Sequence, residues 1–306
     1  MKAIRLFSCL IVCIAFAASS LRAQNDSDND STGLPGDNFG LDGALELFKK
    51  AASPEDFEKL LNTKDNHINN LDLNGDGDID YIRVISKKEN DVHVFILQVP
   101  ISENENQDIA VIELEKTGEV NAVLQIIGDE EIFGEQTIVE PGEGDEEKDS
   151  DNDESPKGPY YENTHYENTR VVVNVWFWPS VRYVYSPAYV VWVSPWRWHH
   201  YPNWWRPWRP MGWHVYHPYR QRYYRGFAVV RTHRVIRAHR IYTPFRASSV
   251  TVVNRHAIAH KNYQVTRSRT TVVGPRGNSV TRKTTSVQGR NGRVATKKTT
   301  VRRRRN

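Results

Sequence analysis

Residues 81–128 read YIRVISKKENDVHVFILQVPISENENQDIAVIELEKTGEVNAVLQIIG. Four runs rich in β-branched residues, YIRVISK, DVHVFILQV, DIAVIELEK and NAVLQIIG, are separated by turn formers such as Glu89-Asn90-Asp91 and Thr117-Gly118. Short links between consecutive strands require antiparallel neighbours, so the stretch predicts a β-meander. His93 falls inside the second run, where packing suits it better than ligation. Upstream, LDGALELFKKAASPEDFEKLL (41–61) puts Leu41, Ala44, Leu45 and Phe48, then Phe57, Leu60 and Leu61, at helical spacing. Ser53 fits an N-cap and Pro54 a first helical position. Helices first and strands second predict an α+β domain over 41–140, with short helices on one face of the antiparallel meander.

Between helices and strands lies LDLNGDGDIDYIRV (71–84). Asp72, Asn74, Asp76 and Asp80 would offer side-chain oxygens to one cation and Asp78 a backbone carbonyl. Gly77 stands where the chain needs positive φ. Calcium takes six to eight oxygens from such a loop; the metal-free reading is an Asn/Asp/Gly turn held by its own hydrogen bonds. The pattern resembles an EF-hand loop over nine positions, then departs, with Arg83 at the twelfth where an EF-hand has a bidentate glutamate. The run that follows reads as a strand, so the closer resemblance is the single Asp-x-Asn-x-Asp-Gly-x-x-Asp loop of FG-GAP and dockerin-like secreted proteins. The resemblance implies a weak, structural Ca²⁺ at residues 72–80 and no fold, because a propeller would repeat the loop.

The start of the chain indicates export. Lys2 and Arg5 precede an apolar run, Leu6 to Ala18, that is too short to span a bilayer. With Leu21-Arg22-Ala23 after it, residues 1–23 read as a signal peptide. Both cysteines, Cys9 and Cys13, lie there, so the remainder has no thiol and no disulfide. The plan resembles that of secreted bacterial proteins, and the expected place is periplasm, outer surface or medium.

The net charge of +4 hides a division. Residues 1–156 hold 12 Lys+Arg against 35 Asp+Glu, a formal −23; residues 157–306 hold 29 against 2, a formal +27. Such asymmetry marks distinct segments and a polyanionic partner for the second. Residues 24–40 read as a disordered acidic lead-in, 141–158 as an acidic linker. Residues 159–263 hold all nine tryptophans. Pro179, Pro187 and Pro195 divide their first part into what reads as three short strands, giving a Pro-punctuated β-rich or irregular segment. Residues 264–306, with Thr-Thr pairs at 270, 284 and 299, form a basic repeat whose turns could make hairpins, but whose strands are polar on both faces, so a disordered tail, or one ordered only on a partner, is expected.

Arginine interleaved with flat rings suits an anionic surface, since guanidinium binds phosphate or carboxylate and stacks on aromatic faces. The candidate polyanion contacts are Arg197, Arg206, Arg209, Arg220, Arg222, Arg225, Arg302, Arg303, Arg304 and Arg305. The candidate aromatic contacts are Trp196, Trp198, Trp204, Trp205, Trp208 and Trp213. An anionic envelope polymer or lipid surface is the first expectation. Extracellular nucleic acid, stacked on the rings, is the second, and self-association through the acidic half of a neighbour the third. Histidines cluster in the same half, and His214-x-x-His217 has metal-ligand spacing without an acidic ligand nearby in sequence. No Gly-x-Ser-x-Gly, His-Glu-x-x-His, Gly-x-Gly-x-x-Gly or phosphate loop occurs, so the reading is noncatalytic, a secreted hydrolase being a distant third class.

Overall fold

The computed structural model describes residues 31–142, 172–223, 226–273, 279–288 and 294–303. Helices α1 (Leu41–Lys50) and α2 (Pro54–Leu61) precede strands β1 (Arg83–Glu89), β2 (Val92–Pro100), β3 (Asn106–Gly118) and β4 (Asn121–Gly128). A one-turn helix α3 (Glu130–Phe133) leads into β5 (Thr137–Pro141). Strands β1 to β5 pair antiparallel in chain order. The domain is therefore α+β. Ser53 caps α2 by accepting from the Asp56 amide, with Pro54 in the first turn. Asn90 takes φ 53° in the β1–β2 turn, a left-handed conformation that asparagine tolerates.

Every residue of β2 is buried. Phe95, Leu97 and Val99 face the core beneath α1 and α2, while Val92, Val94 and Ile96 face a second core. The expectation of helices on one face accounts for the first layer only. The second is closed by helix α6 (Ile236–Tyr242), through Val235, Ala238 and Tyr242. Just before it, β6 (Phe227–Val230) adds a sixth antiparallel strand beside β5, pairing Ile138 with Val230 and Pro141 with Phe227. Acidic and basic segments thus share one sheet.

Two readings of the sequence need correction. The lead-in 24–40 is not disordered throughout: residues 35–38 form a 3₁₀ turn, and Leu34 and Phe39 are buried. Two apolar anchors hold what composition marks as solvent-loving. The stretches around Pro179 and Pro187 are not strands. Pro179 opens helix α4 (Pro179–Val184), whose Val181 and Val184 enter the first core. A proline at the first helical position has no amide to lose, and the i, i+3 valines then decide the face. Further on, Val193 makes a strand-like bridge to Ile85, while Ser86 donates to the Trp192 carbonyl and Ser194 to that of Val84. Residues 192–194 thereby cover the exposed edge of β1, a row of backbone groups otherwise open to association.

Helices α5 (Trp213–Gln221) and α7 (Val250–Asn262) complete the helical set. In the tail, β7 (Gln264–Val273), β8 (Ser279–Gln288) and β9 (Val294–Arg303) pair antiparallel in that order. Of the linker expected over 141–158 as an extended tether, Pro141 is instead the last residue of β5, and residues 143–158 lie outside the described residues.

Candidate functional site

An extended strap, residues 195–212, runs from the β1 edge to α5 with no helix or strand of its own. Specific hydrogen bonds fix its path. Arg83 donates to the Trp196 carbonyl, Ile79 to the Trp208 carbonyl, and Asn70 both donates to the Met211 carbonyl and accepts from the Met211 amide. Trp205, 3% exposed, packs edge-on to Tyr81 and Tyr201 and near Trp208. It is the anchor of the strap, not a contact for a ligand, which corrects its sequence assignment. Trp204 beside it is 49% exposed, with the Lys59 ammonium 5.9 Å from its ring. Trp196, Trp198, Trp208 and Trp213 are half-buried; Trp198 meets His199 edge-on and Trp213 stacks on His217.

Arg197, Arg206, Arg209 and Arg222 are exposed, and none has a carboxylate within ion-pair reach among the described residues. Arg206 is braced by the Asn203 and Trp205 carbonyls, and Arg222 lies over the Tyr219 ring at 4.7 Å. Arg220 is a correction. It is 1% exposed, its guanidinium donates to the Asp37 carbonyl, and its charge acts on the buried carboxyls of Asp37 and Asp42. Arg225, Arg304 and Arg305 lie outside the described residues; Arg302 and Arg303 end β9, and the surroundings of their side chains are not among those described.

Other arginines of the basic segment are spent within the chain. Arg234 pairs with Glu140, Arg237 with Glu115 and Arg246 with Asp129. Sequence offers no signal for which arginines these are, because each acid is more than ninety residues away. The same holds for Glu58, 2% exposed in α2. Its carboxylate accepts from the Val84 amide, the Tyr81 hydroxyl, the Trp192 indole and the Ser194 hydroxyl, joining α2, β1 and residues 192–194 that lead into the strap.

The acidic loop lies beside the strap, linked by Ile79 and Trp208. Asp72 accepts from the Gly75 and Gly77 amides, Asn74 from Asp76, and Asp76 from Asp78. Gly75 and Gly77 have φ of 72° and 88°. These bonds are those of the metal-free turn, yet they leave lone pairs on every carboxylate. Asp80 is buried, accepts from the Leu73 amide, and its carboxyl is pushed up to about 8, first by burial and then by the Asp72 and Asp76 charges. A buried acid crowded by like charges is a setting that a cation relieves. The Arg255 guanidinium lies against Gly75, in the space that a side chain there would take.

No family model matches the chain, and neither does any curated protein or solved structure. Among the described residues, no helix is long and apolar enough to cross a membrane.

Proposed function

We propose that the chain is an exported, noncatalytic protein that attaches to an anionic envelope polymer through the strap and α5. One observation carries the reading. Arg197, Arg206, Arg209 and Arg222 remain exposed beside aromatic rings, in a stretch (172–223) that contains no Asp or Glu, while Arg220, Arg234, Arg237 and Arg246 are taken up by acids of the same chain. Exposed guanidinium groups bind carboxylate, sulfate or phosphate, and Trp204 offers a flat face to a sugar ring or base. A fixed strap presents these groups with less entropy to lose than a flexible tail.

The loop 72–80 belongs to the same reading as a weak Ca²⁺ site. Asp72, Asn74, Asp76 and Asp80 would supply side-chain oxygens and Asp78 a carbonyl, so that the ion stiffens the turn against which the strap is hydrogen-bonded. The donor set is all oxygen, as calcium requires.

The test is retention of the mature chain on immobilised heparin against single-stranded DNA of equal charge and neutral dextran. Heparin retention should fall steeply with salt, as charge contacts do, and Arg197→Ala/Arg206→Ala/Arg209→Ala should weaken it about tenfold, near the 1.4 kcal/mol that a few exposed charge contacts supply. Preference for DNA would replace the polymer by nucleic acid. A triple variant that binds as the parent does would end the assignment of the strap.

A further inference from the structure

The second face of the sheet holds a group that the strap does not use. Glu113, in β3, is 0% exposed in a sheet face otherwise lined by Val94, Val111 and Ile127. His233 Nε2 lies 2.5 Å from Glu113 Oε2, and His239 Nδ1 lies 3.3 Å from Oε1. Oε1 and His239 Nδ1 are both buried atoms without a hydrogen-bonding partner. All three ligand atoms fall within 4.8 Å of one another. The imidazoles are 20% and 35% exposed, so the group is closed on the sheet side and open on the other.

We propose that Glu113, His233 and His239 form a binding site for a divalent transition metal of the zinc class. Two imidazole nitrogens and one carboxylate oxygen suit zinc and its first-row neighbours and not calcium or magnesium, which take oxygen. Three protein ligands leave a fourth position for water or a small ligand. Tetrahedral ligands at zinc distances stand about 3.3 Å apart. The Glu113–His239 pair is at that separation, and the Glu113–His233 pair reaches it by opening a little under about 1 Å. The open side adjoins a cleft of about 230 Å³ whose wall includes His239, Tyr242, Thr243 and Arg246.

The surroundings support ligation. Gln125, directly across from Glu113 on β4, donates to the Thr232 carbonyl and accepts from the Arg234 amide. Its amide therefore brackets His233 from both sides of the backbone and acts as a positioning residue. The neighbouring cations are already matched, Arg234 by Glu140 and Arg237 by Glu115, which reduces their repulsion of a metal. The ion would join the acidic segment, through β3, to the basic one, through the turn and α6. This inference does not depend on the polymer-binding reading and uses none of its residues.

The test uses the mature chain, stripped with a chelator and titrated with Zn²⁺ and with Co²⁺. One ion should bind per chain, Co²⁺ should show the strong visible absorption of a four-coordinate site, and Zn²⁺ should raise the melting temperature. His239→Ala and Glu113→Gln should each weaken binding about 100-fold, at least the loss seen when an outer-shell partner of a metal site is removed. Glutamine preserves the shape and a bond to His233, so that variant remains folded by far-UV circular dichroism. His214→Ala/His217→Ala should bind as the parent does. The proposal is overturned if the folded parent takes up no Zn²⁺ at micromolar concentration, if Glu113→Gln and His239→Ala bind unchanged, or if the His214/His217 variant is the one that loses the ion.

Discussion

Replacing Glu58 by methionine tests how the two segments are joined. The carboxylate accepts four hydrogen bonds, at 2.8 Å from Val84 and Tyr81, 2.9 Å from Ser194 and 3.1 Å from Trp192. Methionine fills much of the space and accepts none of them well. Each bond to a charged acceptor is worth about 1.5–3 kcal/mol net, and each buried donor left without a partner costs about 1–3 kcal/mol. Summing four would overshoot, because the bonds share one carboxylate, burial pushes its pKa up, and the native protein already bears that desolvation cost. Trp192 is only half-buried and can reach water. The loss should be about 4 kcal/mol, near the 3–5 kcal/mol of breaking a buried charged network. For a fold of this size that lowers the melting point by roughly 10 °C. Ser194→Ala, which removes one donor and leaves the other three bonds, should lose only about 1.5 kcal/mol, the low end for one bond to a charged acceptor. The assay is thermal and urea unfolding followed by circular dichroism. A Glu58→Met chain melting within about 2 °C of the parent would refute the idea that this carboxylate joins α2, β1 and residues 192–194, since such a shift is under about 1 kcal/mol.

Other outcomes are equally definite. Stability in chelator should fall by about 2 kcal/mol between roughly pH 6.5 and pH 8, because the Asp80 carboxyl sits at about 8 in the fold against its ordinary 3.8, so folding retains a proton that rising pH removes; millimolar Ca²⁺ should abolish that slope, and an unchanged slope counts against calcium. Asp42 and Asp108, each pushed up to about 6, act in the same direction at lower pH, where the buried His93, held down at about 4, acts oppositely. Ser53→Ala should cost about 1 kcal/mol by removing the cap of α2, read as a lower urea midpoint. Trp205→Ala should cost about 3–5 kcal/mol of stability, while Trp204→Ala should leave the melting point within about 2 °C and weaken heparin retention; equal effects on stability would contradict the division into anchor and contact.

How much of this was legible depends on whether the signal is local. The strands of 81–128 announce themselves because β-branched runs separated by short turns fit few other structures, and the cap at Ser53 because an N-cap needs only its own next residues. The second buried face was harder to read. VHVFILQVP looks the same whether one face or two are covered, since both give an apolar run. The cover comes from Val235, Ala238 and Tyr242, more than a hundred residues on. Phe227–Val230 is a four-residue strand, too short for periodicity to show. Pro179 was ambiguous because proline ends strands and begins helices with equal ease. The exposed or half-buried Trp196, Trp198, Trp204 and Trp208 of the strap, with Arg197, Arg206 and Arg209, are visible as an aromatic and basic run. Which arginine is buried is not, because burial of Arg220 depends on Asp37 and Asp42 lying opposite it. Glu113 is invisible for the same reason: in sequence it is one more acid in an acidic half, and only the fold brings His233 and His239 to it.

The charge division suggests two modules, and the packing argues against that inference. Strand β6 supplies the neighbour of β5, and α6 covers Val92, Val94, Ile96 and Val111 on the second face. Separating the segments would expose that face together with the free edge of β5, a combination that favours edge-to-edge association. The opposite charges are then a folding device as well as a composition. Arg234–Glu140, Arg237–Glu115 and Arg246–Asp129 all cross from one segment to the other. Closing the long connection between them costs little more than closing a short one, because loop entropy grows only with the logarithm of length. A chain ending at residue 142 should therefore aggregate or bind hydrophobic dye where the longer chain does not. If it were instead monomeric, soluble and cooperative in unfolding, the basic segment would be an appendage to the acidic fold, and the strap would have to be held by residues 69–84 alone.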